Sequence, residues 1–77
     1  MTIAQLPAPI GSTQELREFA LESLGMAAIQ AQLGAQYADI GDDAGLEYAV
    51  RKLVAYTRLA IGVVGDLKTA TSKEQRQ

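Results

Sequence analysis

Carboxylates are the first residues in this sequence that could do chemistry. Glu15, Glu18 and Glu22 stand three and four residues apart, a spacing that stacks side chains along one side of a helix. Paired carboxylates can divide general-acid and general-base roles, but only across a cleft that holds a substrate between them. A second acidic group, Asp39, Asp42 and Asp43, offers the hard oxygen donors a divalent cation takes. It lacks the alternating ligands, central glycine and terminal glutamate of a calcium loop. Arg51, Lys52 and Arg58 could contact phosphates, with Arg51 and Arg58 seven residues apart on one helix face. Gly62 and Gly65 have neither the lysine nor the preceding strand of a phosphate-binding loop. Tyr37, Tyr48 and Tyr56 pair a large apolar area with a polar tip, the profile of an interface anchor.

The composition removes most catalytic readings of these groups. The 77 residues contain no cysteine and no histidine, so there is no thiolate or imidazole to act as nucleophile or base, no zinc-ligand spacing and no disulfide framework. No catalytic residue, metal ligand or cofactor site is assigned. Seven basic against nine acidic residues give a net charge of −2, and the sequence pI is about 4.9. Glu47 and Asp66 flank the basic trio. A solvated face paired to carboxylates therefore accounts for it better than nucleic acid does. The three glutamates are placed for the positive end of a helix dipole, the aspartates for capping and the glycines for close helix approach.

These residues must be carried by helices. Apolar residues make up 48% of the chain and aromatic residues 5%, with Ala, Leu, Ile and Val dominant, as in all-α proteins. Residues 1–11, MTIAQLPAPIG, contain Pro7 and Pro9 and are expected to form an extended arm exposing Ile3, Leu6 and Ile10. Ser12-Thr-Gln-Glu15 is a capping box and predicts a helix over 12–40. Gly41 is placed for a left-handed C-terminal cap, and Asp42 or Asp43 for the next N-cap. A second helix is predicted over 43–70, and 71–77 read as a polar frayed tail. The uncharged stretch 23–38 is too polar to span a membrane. The N-terminus lacks a secretory signal pattern. A cytoplasmic location is expected.

Two apolar stripes run along the first predicted helix. Phe19, Met26, Leu33, Tyr37 and Ile40 are large; Ala20, Leu24, Ala27, Ala31, Ala35 and Ala38 are mostly small and read as a tight helix–helix seam. In the second helix, Leu46, Val50, Leu53, Val54, Ile61, Val64 and Leu67 are the expected core stripe, with Ala49, Ala60 and Val63 at its margin. Glu47 and Arg51 are spaced for an i,i+4 ion pair. Two similar helices with a short connection predict an antiparallel hairpin. Charge agrees: residues 1–45 carry −5 and residues 46–77 carry +3, which sets the early glutamates near Lys68 and Lys73. A three-helix monomer broken at Gly25 is the competing arrangement.

A single core below about 80 residues is marginal, and a hairpin leaves apolar surface uncovered on both helices. Dimerisation into a four-helix bundle is the simplest closed remedy. The expected self-association residues are Leu24, Ala27, Ala31, Ala35, Met26 and Leu33, and the expected partner-binding residues are Phe19, Tyr37, Tyr48, Arg51, Leu59 and, on the arm, Ile3 and Leu6. The plan is similar to that of small accessory proteins of bacteria and their phages, which bind and modulate a larger protein. That similarity implies a non-enzymatic interaction module. A purely structural homo-oligomeric subunit is the alternative, and a nucleic-acid-binding regulator a more remote one.

Overall fold

The computed structural model describes residues 12–76. Two helices, α1 (Thr13–Asp39) and α2 (Asp43–Arg76), pack against each other as an antiparallel hairpin. The N-terminal arm, with Ile3, Leu6 and Ile10, lies outside the described residues. α1 runs unbroken through Gly25, which removes the three-helix arrangement. α2 continues to Arg76, so residues 71–76 extend the helix instead of forming a frayed tail. No helix among the described residues is long and apolar enough to cross a membrane.

The helix ends follow from local chemistry. Ser12 Oγ accepts the Glu15 N–H at 3.3 Å, satisfying one donor of the first turn. The Glu15 carboxylate closes the box differently from the reciprocal pattern, accepting the Ser12 hydroxyl at 3.2 Å in place of the Ser12 N–H. At the other end Gly41 takes φ +75°. The Asp42 N–H donates to Tyr37 O at 2.9 Å and the Gly41 N–H to Ala38 O at 3.2 Å. This paired bonding past a left-handed glycine is a Schellman motif. Asp42 then caps α2 by accepting the Gly45 N–H on Oδ1 at 2.9 Å.

The seam between the helices is narrower than either predicted stripe. In α1 the buried and half-buried positions that form the seam are Leu16, Ala20, Ser23, Ala27, Gln30, Gly34 and Tyr37, with Leu33 half-buried at its edge; in α2 they include Leu46, Ala49, Leu53, Tyr56, Ala60, Val63 and Leu67. Both sets advance by alternating steps of three and four, the 3.5-residue repeat of coiled-coil packing. The pairing is fixed near the turn, where a Cβ on Gly34 would lie 3.6 Å from Ala49 Cβ and 3.9 Å from Leu46 Cδ1. There the Tyr37 ring lies so close to Gly45 that a Cβ would stand 2.6 Å from its Cδ1. No side chain can be added there without moving the tyrosine.

Several expected core residues consequently lie outside the seam. Leu24, Ala31, Ala35 and Ala38 are exposed; only Ala20 and Ala27 of the small stripe face α2. Phe19 and Ile40 of the large stripe are exposed too. In α2 the order is inverted: Val50, Val54, Ile61 and Val64 are exposed, whereas the marginal Ala49, Ala60 and Val63 are buried. The physical reason is the rotational phase of the helices. Gly, Ala and Ser share the contact with Leu16, Leu46, Leu53 and Leu67, and large side chains outside that 3.5-residue repeat are turned to the flanks. Ser23 and Gln30 are buried at this contact, and among the described residues no buried side-chain nitrogen or oxygen lacks a hydrogen-bond partner.

Candidate interaction surfaces

A two-helix hairpin is one layer thick, so two broad faces remain once the seam is closed. Helical geometry of 100° per residue assigns the flanking side chains to one face or the other. On the first, Leu24 of α1 meets Thr57, Ile61, Val64, Gly65 and Lys68 of α2 around an apolar groove of about 470 Å³. Ala28, Ala31 and Ala35 of α1 and Val50 and Val54 of α2 continue this face toward the turn. The Thr57 hydroxyl donates to Leu53 O at 2.8 Å, so it brings no unmet donor into the groove.

The second face carries Phe19, Met26, Leu33 and Tyr37 from α1 and Tyr48 and Leu59 from α2. Phe19 is 56% exposed and Tyr48 63%. The Lys52 ammonium sits 5.2 Å from the centroid of the Tyr48 ring, a cation–π geometry. Glu15, Glu18 and Glu22 gather around Phe19 and make this end of the second face acidic. Glu18 and Glu22 are exposed and Glu15 half-buried, all away from Lys68, which lines the groove of the first face. The expected pairing of these glutamates with Lys68 and Lys73 is therefore corrected: among the described residues the ion pair is Glu47–Arg51, at 2.7 Å, with both side chains exposed.

The sequence-predicted sites sort onto these surfaces unevenly. Phe19, Tyr48 and Leu59 of the expected partner-binding set share the second face, Phe19 toward the open end and Tyr48 toward the turn, with Tyr37 half-buried at its edge, whereas Arg51 lies on the outer side of α2, held by Glu47. Ile3 and Leu6 lie outside the described residues. The expected self-association set is divided: Leu24, Ala31 and Ala35 are on the first face, Met26 and Leu33 on the second, and Ala27 is 7% exposed within the seam. The basic trio is also divided, since Lys52 leans over Tyr48 while Arg51 and Arg58 point outward. Gly62 and Gly65 have nothing within 4 Å of an added Cβ, so close approach inside the hairpin does not explain them. Sequence reading missed Gly34 and Gly45 as contact residues, because their role appears only when the partner helix is in register.

The chain matches no protein family, no curated protein and no solved structure with which it was compared. What the fold defines is a single-layer helical hairpin with a small-residue seam and two apolar faces.

Proposed function

We propose that this protein is a small non-enzymatic interaction module that self-associates and binds or modulates, by inhibition or otherwise, a larger protein. One observation carries the reading: the hairpin closes only a narrow seam, leaving twelve large apolar side chains exposed among the described residues of α1, α2 and the turn. Contiguous apolar surface rimmed by charge marks sites of protein association. The self-association component would complete a four-helix bundle, as a closed twofold dimer. The partner component would use the second face, where aromatic side chains and Leu59 supply area and the glutamates around Phe19 supply charge selectivity.

A structural assembly subunit is the second reading, favoured by the same apolar character on two opposite faces. A chain that contacts copies through both faces without closing would extend into a filament or layer. The two readings separate in one experiment. Purified protein is measured by light scattering over a wide concentration range, and tagged protein is used to capture partners, alongside Phe19→Glu and Tyr48→Glu variants. A discrete dimer, together with a captured protein lost in both variants, supports the interaction module. Growth to large species, with no foreign protein retained, supports the assembly subunit.

A further inference from the structure

We propose that the face carrying Leu24, Val54, Ile61 and Val64 is covered by a second copy of this chain, docked antiparallel about a twofold axis across the middle of the hairpin. The inference deepens the self-association reading and rests on it. Charge placement gives the direction. At the open end of the hairpin this face is bounded by Arg17 and Lys68, and at the turn by Asp43, with Asp39 beside it on the outer edge of α1. Lys68 lines the groove itself. An axis along the hairpin would set α1 of one copy over α2 of the other at the same level, bringing Arg17 to Lys68 and Asp39 to Asp43, like charge against like at both ends. An axis across the hairpin sets α1 over α1 and α2 over α2 in reverse. Arg17 then meets Asp39, and Lys68 meets Asp43, twice each.

Side-chain size follows the same symmetry. Reversal about the midpoint between residues 43 and 68 places Ile61 against Val50 and Thr57 against Val54. On α1 it places Leu24, 54% exposed, against the alanines at 31 and 35, a bulky side chain over small ones. Gly65 borders the groove with open space where a side chain would be, allowing the other copy to approach. The area also fits. From Asp43 to Lys68 the face is about 37 Å long at 1.5 Å per residue and about 20 Å wide across two helices. That is about 750 Å² per copy, close to the roughly 800 Å² each partner contributes to a standard interface.

The chain has no cysteine, so single thiols can report the arrangement. Lys68→Cys and Asp43→Cys chains, mixed and treated with a short bis-maleimide, should give a cross-linked heterodimer. The Arg17→Cys and Lys68→Cys mixture should give none. Ile61→Glu, at a side chain already 66% exposed, should halve the mass measured by light scattering while circular dichroism stays helical. Tyr48→Glu, on the other face, should leave the mass unchanged. A native dimer that cross-links only through Arg17→Cys with Lys68→Cys, or that is split by Tyr48→Glu and not by Ile61→Glu, overturns the docking while leaving self-association standing. A native chain that is monomeric at every concentration overturns both. If Ile61→Glu loses its helicity, the cross-linking result alone decides.

Discussion

Glycine has opposite meanings at different positions of this chain, and the difference is measurable. Gly45 is pressed against the Tyr37 ring, so Gly45→Ala forces a ring in the seam to move. Overpacking of this kind costs about 1–3 kcal/mol, which should appear as a lower urea midpoint. Gly62 meets nothing within 4 Å, so Gly62→Ala should stabilise the helix by up to about 1 kcal/mol from propensity and raise the midpoint. Unfolding curves for the two variants should move in opposite directions, and movement in the same direction would refute the seam geometry at the turn. Asp42→Ala removes the acceptor for the Gly45 N–H and should cost about 1 kcal/mol. Ser12, Gly41 and the Asp42/Asp43 pair were legible in the sequence because capping is local: the residue type and its neighbours within one turn suffice. Gly45 was not, since its constraint comes from a ring eight residues earlier that reaches it only after the chain reverses.

At the level of the helices, the hairpin itself was legible and its rotational phase was not. The capping signals and the apolar repeat place α1 and the start of α2 within one residue of their observed bounds, whereas α2 runs six residues past its expected end. The repeat could not say which of the apolar sides of α1 faces α2, because α1 is apolar over most of its circumference. The apolar repeat favoured Val50, Val54, Ile61 and Val64 for the core, whereas the observed phase of α2 buries Ala49, Ala60 and Val63. The buried Ser23 and Gln30 were passed over for being polar, although a serine is nearly as small as alanine. This account predicts a graded series at Gly34. Alanine would meet Ala49 at ordinary van der Waals distance, 3.6 Å, so Gly34→Ala should be tolerated. Gly34→Leu has no room against Ala49 and Leu46 and should lower the thermal midpoint by several degrees. If Gly34→Leu were as stable as Gly34→Ala, the close seam would be wrong.

For the whole molecule, the decisive feature is the mismatch between a thin seam and two apolar faces. Leu16 and Val63 are the largest apolar side chains buried in the seam, and no large side chain among the described residues is fully buried. A second copy on the face of Leu24 and Ile61 would turn a single layer into two, the minimum that encloses a core, and would leave the Phe19 and Tyr48 face for another protein. The candidate surfaces were only partly legible in the sequence. Phe19, Tyr48 and Leu59, expected at a partner interface, are exposed, but Tyr37 is half-buried in the seam, and the division of Leu24 from Met26 onto opposite faces depends on the seam's phase. Association should also carry a salt dependence if Arg17, Asp39, Asp43 and Lys68 meet across the interface, weakening as ionic strength rises through screening of the exposed pairs. The most direct measurement is the absolute molar mass of the native chain by light scattering across a wide concentration range, with helicity followed on the same samples. The account predicts a helical species of twice the chain's 8.2 kDa, separating into single chains only on dilution. A fully helical particle of one chain mass at every concentration would contradict it.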